Sequence, residues 1–295
     1  MSLPKALLLF AAIVLWAGCA QGPQAPGGAA SNAPPADPER LAAALRSRPI
    51  VLLGEVHDNA TQHGLRAQAL RALLQSGARP ALLMEQFDRD RQAELDRALA
   101  QPDASPDSVI AAGAGTSGGM GGTAGTSASG WTWSLYRPYV ALAIEYRLPL
   151  IAANVSRADT RAIVKDGLAA HGFDANVPPD IERIQTRAIA DSHCGLLEDA
   201  DAQRLMAAQV ARDQFMARTI DALAPRGAVL LAGNGHVRRD AGVPRWLNAA
   251  SRARSVAIGL LEQDEPVDGV YDVAMTTPTQ PRPDPCDAFR ASRGR

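Results

Sequence analysis

Net charge is nearly absent from this chain of 295 residues: 30 Lys and Arg stand against 31 Asp and Glu, a formal −1. That balance gives no electrostatic case for nucleic acid as a partner, nor for a polybasic patch on an anionic bilayer. Long apolar runs are also missing after the first 16 residues, so nothing further along reads as a membrane span, and the chain alone moves nothing across a bilayer. No sustained heptad marks a coiled-coil dimer seam. No His-Glu-x-x-His spacing offers a helix-borne zinc site. Cysteine is scarce, at three residues, Cys19, Cys194 and Cys286.

What is present begins at the N-terminus. Lys5 precedes the apolar run Ala6 to Trp16, then Ala17, Gly18 and Cys19. A basic start, a short apolar core and a small-residue exit are the parts of a secretory signal. With cysteine directly after Ala-Gly, the segment looks like a lipoprotein signal over residues 1–18, acylated at Cys19. Trp16 stands where the usual pattern has leucine, with Leu15 one place further out. Ala20 in place of Asp points, by the same resemblance, to the outer membrane. Residues 19–37 are Pro, Gly, Ala and small polar residues, the composition of a tether. Folding should start at Asp37-Pro38-Glu39, an N-cap followed by proline at the first helical position. Export to an oxidising compartment makes a Cys194–Cys286 disulfide one reading and two separate thiols the other.

About 255 residues remain after the tether, the size of one α/β domain or two small ones. A hydrophobic fraction of 46% suffices for a core. Five short runs rich in Val, Ile and Leu lie at 49–54, 80–85, 149–154, 228–233 and 255–260. They are continuously apolar, as expected of strands buried on both faces. Leu65, Ala69, Leu70, Leu73 and Leu74 between the first two have helical spacing, closed by Gly77. Strand–helix–strand at this length is a βαβ unit, so the fold class is α/β with a mostly parallel sheet flanked by helices, over residues 38–275. A last strand near 269–275 joins an edge, and 276–295 forms a tail. Residues 111–130 are nearly all Gly, Ala, Ser and Thr and read as a low-complexity loop. Residues 157–223 are mostly helical, broken near Pro178-Pro179, and form a helical subdomain over the carboxyl ends of the strands, where open α/β sheets bind ligands.

Three strands end in polar residues. The first runs into Gly54-Glu55-Val56-His57-Asp58, the second into Glu85-Gln86, the fourth into Gly233-Asn234-Gly235-His236-Val237-Arg238. All three reach the same rim of the sheet, and alternation puts Glu55 and His57 on one side. Two histidines and two carboxylates can therefore converge. On the helix near 199–223, Met206, Gln209, Asp213 and Met216 share a face. Polar groups in a buried stripe need partners. Gln209 and Asp213 either brace His57 or His236, or bond a strand-end backbone.

These segments resemble the ChaN-like lipoproteins, the haem-binding branch of the haem-uptake/Tiki superfamily. Met84-Glu85-Gln86-Phe87, Trp133-x-x-Tyr136-x-Pro138, Ala153-Asn154-x-x-Arg157, Gln209-x-x-Arg212-Asp213-x-x-Met216-Ala217 and Asp240-Ala241-Gly242-Val243-Pro244 extend the likeness from about residue 48 to about residue 260. The resemblance implies haem held between two subunits of a dimer, with a tyrosine as iron ligand and a histidine assisting. Phenolate oxygen suits ferric iron. Tyr136 matches the family's tyrosine. Tyr139 shares a face with Leu135, Leu142 and Tyr146 and reads as core. The expected haem-binding set is Tyr136, His57, His236 and Arg238. Arg238 and Arg239 either meet propionates or are solvated, and Trp131 and Trp133 either wall the haem or pack structurally. The expected setting is lipid anchorage at the outer membrane, with an outer-membrane haem receptor as partner. The wider superfamily holds esterase-like and metalloprotease-like members, so a hydrolase using Glu55, His57, Glu85 and His236, with or without a divalent metal, is the alternative.

Overall fold

A computed structural model describes residues 33–114, 130–263, 265, 269–284 and 286–287. The signal segment, Cys19 and most of the tether lie outside the described residues, as does the low-complexity stretch after Ala114. Among the described residues no helix is long and apolar enough to cross a membrane.

The chain alternates strand and helix. Helix α1 (Pro38–Arg46) leads to β1 (Ile50–Leu53), α2 (Ala60–Gln75) and β2 (Ala81–Asp88). Helices α3 (Gln92–Leu99), α4 (Pro106–Ala114) and α5 (Trp133–Glu145) precede β3 (Leu150–Asn154). Helices α6 (Arg157–Asp166), α7 (Pro179–Ser192) and α8 (Asp199–Leu223) precede β4 (Ala228–Leu231). The short α9 (Asn234–Val237) and α10 (Ala249–Ala253) lead to β5 (Ser255–Glu262) and β6 (Val273–Thr277). Asp37 caps α1 by accepting from the Arg40 N–H at 2.9 Å, as the Asp-Pro pair implies.

The strands form one sheet in the order β3-β2-β4-β1-β5-β6, parallel throughout. All five apolar runs are strands, and an edge strand forms at Val273–Thr277, overlapping the end of the expected 269–275. Alternation sorts their side chains to two faces. Val51, Leu53, Met84 and Leu231 pack with α1, α2 and α5. Ile50, Leu52, Leu83 and Leu230 pack with α8, α9 and the segment after it. Burying each leucine stabilises the fold by about 1.5–3 kcal/mol, so neither face can be left to solvent.

The chain leaves β1 through α2 on one face and leaves neighbouring β4 through α9 on the other. The connections therefore diverge beyond the carboxyl ends of these two strands, the topological switch point at which open sheets of this kind bind their ligands. A third core, built from Val155, Ile163, Phe173, Ile181, Met206, Val210 and Ala241, holds α6, α7 and the start of α8 over that end of the sheet. This is the helical subdomain foreseen from residues 157–223.

Three boundaries differ from the sequence reading. Residues 34–36 are not tether: Pro35 bridges Thr276 of β6, and the Ala36 N–H donates to the Thr276 carbonyl at 2.8 Å. Residues 111–114 complete α4, where Gly113 packs against Leu95 and Phe87 with no room for a Cβ. The described part of the C-terminal segment is tied down rather than trailing. Arg282 reaches both Asp58 and Glu262, and a Cys194–Cys286 disulfide fastens the tail to the end of α7.

Candidate functional site at the strand ends

The first half of the site faces α2 and α5. Glu55 follows β1 in register with Leu53 and is buried with Arg66 of α2, whose guanidinium pairs with Glu55 Oε2. Arg66 Nη2 also donates to the Leu53 carbonyl at 3.0 Å. The other carboxylate oxygen, Oε1, accepts the Tyr136 hydroxyl at 2.7 Å and lies 2.8 Å from His57 Nδ1. His63 lies 3.6 Å from Oε2, beneath Tyr136. Burial pulls His63 down to about 4, so it is neutral at pH 7. Burial likewise lowers His57, against the opposing field of Glu85. Tyr136 is fully buried, enclosed by His63, Trp131 and Trp133, and burial raises its hydroxyl well above the usual phenol range. Trp131 sets its ring edge to face with His57, centroids 4.9 Å apart.

The second half faces α8. Glu85, one residue past Met84, points to the opposite face of the sheet. Its Oε2 accepts the Gly233 N–H at 2.8 Å, and its Oε1 lies 3.5 Å from His236 Nε2. His236 Nδ1 sits 2.6 Å from Asp213 Oδ1, and the Gln209 amide nitrogen lies 3.1 Å from Nε2. Gln185 of α7 donates to the remaining Asp213 oxygen at 3.2 Å and to the Ala241 carbonyl at 3.0 Å. The polar pair in the α8 stripe therefore braces His236, not His57. Desolvation opposes charge on His236, but two flanking carboxylates outweigh it and raise the group to about 10. Burial raises Asp213 to about 6, while Glu85 is held ionised, the fields of His236 and His57 overcoming its desolvation.

His57 joins the halves. Its Nδ1 is on Glu55, while a Cβ at Gly233 would come within 2.8 Å of its Nε2. Two glycines here differ in consequence. Gly233→Ala presses only on the far end of the His57 ring and is expected to cost little stability. Gly242→Ala would put a Cβ 2.2 Å from the His236 carbonyl oxygen, so backbone must move. Thermal unfolding of the two variants should give a clear fall for Gly242→Ala and under about 1 kcal/mol for Gly233→Ala. Equal losses would contradict this packing.

Glu55, His57, Glu85, His236 and Tyr136 thus come together. Arg238 does not join them: its guanidinium is spent on Asp240 through bonds of 2.9 and 2.6 Å. Arg239 pairs with Asp272 at the surface. Asn234, beside the motif glycines, is structural, since its amide donates to the Leu260 carbonyl at 2.6 Å and accepts the Leu260 N–H at 3.2 Å. His63 and Arg66 were not foreseen. Their signal was available: they continue the buried face of Ala69, Leu70, Leu73 and Leu74 toward the N-terminus of α2.

A parallel α/β sheet with paired carboxylates and histidines gathered at its topological switch point belongs to the open-sheet class, whose ligands bind at that end of the strands. Residues 41–247 match the family described as haem-binding uptake, Tiki superfamily, ChaN, and the chain belongs to it. Among solved structures, ChaN of Campylobacter jejuni, described with cofacial haem binding, superposes with a TM-score of 0.65 at 18% identity. The match covers 80% of this chain and 90% of that one. More distant are the type III effector HopBA1 (TM-score 0.47, 12% identity, 86% and 98% covered) and an erythromycin esterase in its open conformation (TM-score 0.42, 13%, 76% and 72%). No curated protein matches the sequence.

Proposed function

We propose that this protein is a haem-binding lipoprotein that handles haem for iron acquisition, anchored through Cys19 at the outer membrane. The reading draws on family membership and on one observation in the site: Tyr136, a phenol already hydrogen-bonded to a carboxylate, beside a neutral imidazole and beneath an indole. Haem, when bound, supplies a ferric iron that accepts oxygen and nitrogen donors. The donor set fits that demand. Tyr136 offers oxygen, and Glu55 Oε1 is 2.7 Å away to take the phenol proton. His57 offers a lone pair because burial keeps it neutral. His236 keeps both ring protons at neutral pH and so serves as a cationic partner of Glu85, not as a donor of electrons. Trp131, only partly buried, covers Tyr136 and must lift for the hydroxyl to be reached. A haem shared between two copies, and an outer-membrane receptor as donor or acceptor, complete the proposal.

Haemin titration of the purified protein tests it. The expected result is a saturable spectrum with phenolate-ligation bands and a doubling of mass in solution. Tyr136→Phe should remove those bands and lower affinity about tenfold or more, equivalent to about 1.4 kcal/mol. A spectrum indistinguishable from free haemin would end the haem reading.

The Glu85 environment supports a second reading. An ionised, buried carboxylate beside a cationic His236 and a neutral His57 is equipped for general acid–base hydrolysis. Among the described residues no group of three or more His, Cys, Asp or Glu side chains is arranged to hold a metal ion. Turnover of ester substrates that Glu85→Gln abolishes and Tyr136→Phe spares would favour it.

A further inference from the structure

Arginines around the strand ends are almost all committed. Arg66 is paired with Glu55, Arg238 with Asp240, Arg282 with Asp58 and Glu262, Arg89 with Asp159, and Arg245 with Asp180. Arg212 of α8 differs. Its one hydrogen bond among the described residues runs from Nη1 to Gln209 Oε1 at 3.1 Å. No carboxylate among those residues comes within ion-pair distance of it. Its Nε is buried and without a partner. A buried N–H without an acceptor is costly, and more so when the group is charged, so such an arrangement calls for an acceptor.

The location makes that acceptor a ligand atom. Gln209 stands between Arg212 and His236, the centre of the second half-site, its Oε1 accepting from Arg212 and its amide nitrogen 3.1 Å from His236 Nε2. One edge of the Arg212 guanidinium therefore stands unused beside the second half-site. With Nη1 turned to Gln209, the Nε–H and Nη2–H edge remains, and that edge forms a two-pronged bond with planar oxyanions. Glu85, Asp88 and Asp213 surround Arg212 at longer range and keep it charged against its burial. Their field would repel a phosphate dianion more than a singly charged carboxylate.

We propose that Arg212 is the anion-recognition residue of the strand-end site and takes a carboxylate of the ligand on its Nε–Nη2 edge. If the ligand is haem, that carboxylate is a propionate. This last assignment depends on the haem reading, whereas the carboxylate preference does not.

Two probes separate the two ideas. The first is benzoate, read as a rise in the unfolding temperature of the full chain. The second is haemin against haemin dimethyl ester, which lacks ionised propionates. The wild type should be stabilised by benzoate and should bind haemin roughly tenfold tighter than the ester. Arg212→Gln should lose both responses. Arg212→Lys, which retains charge without the planar fork, should keep only a fraction of each, and it carries the test if the Gln variant loses its circular dichroism. Arg212-dependent benzoate binding without any haemin binding would support the carboxylate site and sink the haem reading. Haemin and ester bound equally, together with no benzoate response, would overturn the Arg212 proposal and leave haem binding standing. Equal benzoate responses in wild type and variants would overturn it as well.

Discussion

Arg66→Met should be among the most destabilising single substitutions in this protein, costing about 3–5 kcal/mol. Both Arg66 and Glu55 are removed from water, and each is the other's charge partner. Methionine fills much of the arginine stem's volume, so the loss is electrostatic more than steric. It leaves Glu55 with hydrogen bonds from Tyr136 and His57 but no cation, in a setting where an unpaired carboxylate is strongly disfavoured. For a domain of this size the fall in unfolding temperature is on the order of 10 °C. The sign of the pH response identifies the cause. A carboxyl that must be protonated to stay buried contributes stability below its unfolded pKa and loses it as pH rises, so the variant should be least deficient in acid. Pairing Arg66→Met with Glu55→Gln should recover most of the loss, because a neutral amide can still accept from Tyr136. Urea unfolding of the two singles and the double gives the coupling energy. A cost under about 1 kcal/mol for Arg66→Met would mean that water reaches Glu55 and that the half-site is not sealed as described.

That pair also shows what a sequence does and does not reveal. The strand positions were legible because a sheet covered on both faces needs unbroken apolar runs, such as Ile50–Leu53 and Ala228–Leu231. The convergence of Glu55, His57, Glu85 and His236 was legible because parallel strands deliver their ends to one edge. That Asp213 needs a buried partner was visible as a charge inside an apolar helical stripe; that the partner is His236 was not. Arg66 carries the same kind of signal, a charge in line with the apolar stripe of α2. Arg238 pairs with Asp240, two residues away, a partner that the motif itself carries. The contacts of Arg282 with Asp58 and of Pro35 with Thr276 had no local signature. They join segments separated by most of the chain, and their composition is that of a linker. The same holds for the disulfide: compartment argued for a bond, but only the fold brings Cys286 to the end of α7.

The second large effect belongs to His236 and lies on the alkaline side. Its pKa is raised from the ordinary value of 6.5 to about 10 because Glu85 and Asp213 flank it. A group raised in the folded state contributes stability that is complete below its unfolded pKa and is lost as pH climbs through the folded one. The window is therefore roughly pH 6.5 to 10, with a loss on the order of 4–5 kcal/mol across it. Its neighbours do not share that window. Asp213, raised to about 6, has its own loss finished by then, and Glu85, lowered, loses its contribution only in acid. Tyr136 and Tyr139, both raised by burial, respond above about pH 10. Unfolding free energies of the wild type should therefore decline steadily from pH 7 to pH 10, while His236→Asn, less stable at pH 7, should stay nearly flat. Parallel curves would mean that His236 is neutral in the folded protein. In that event its Nε2 would hold a lone pair, the division of labour between His57 and His236 would fail, and His236 would return as a candidate donor to iron.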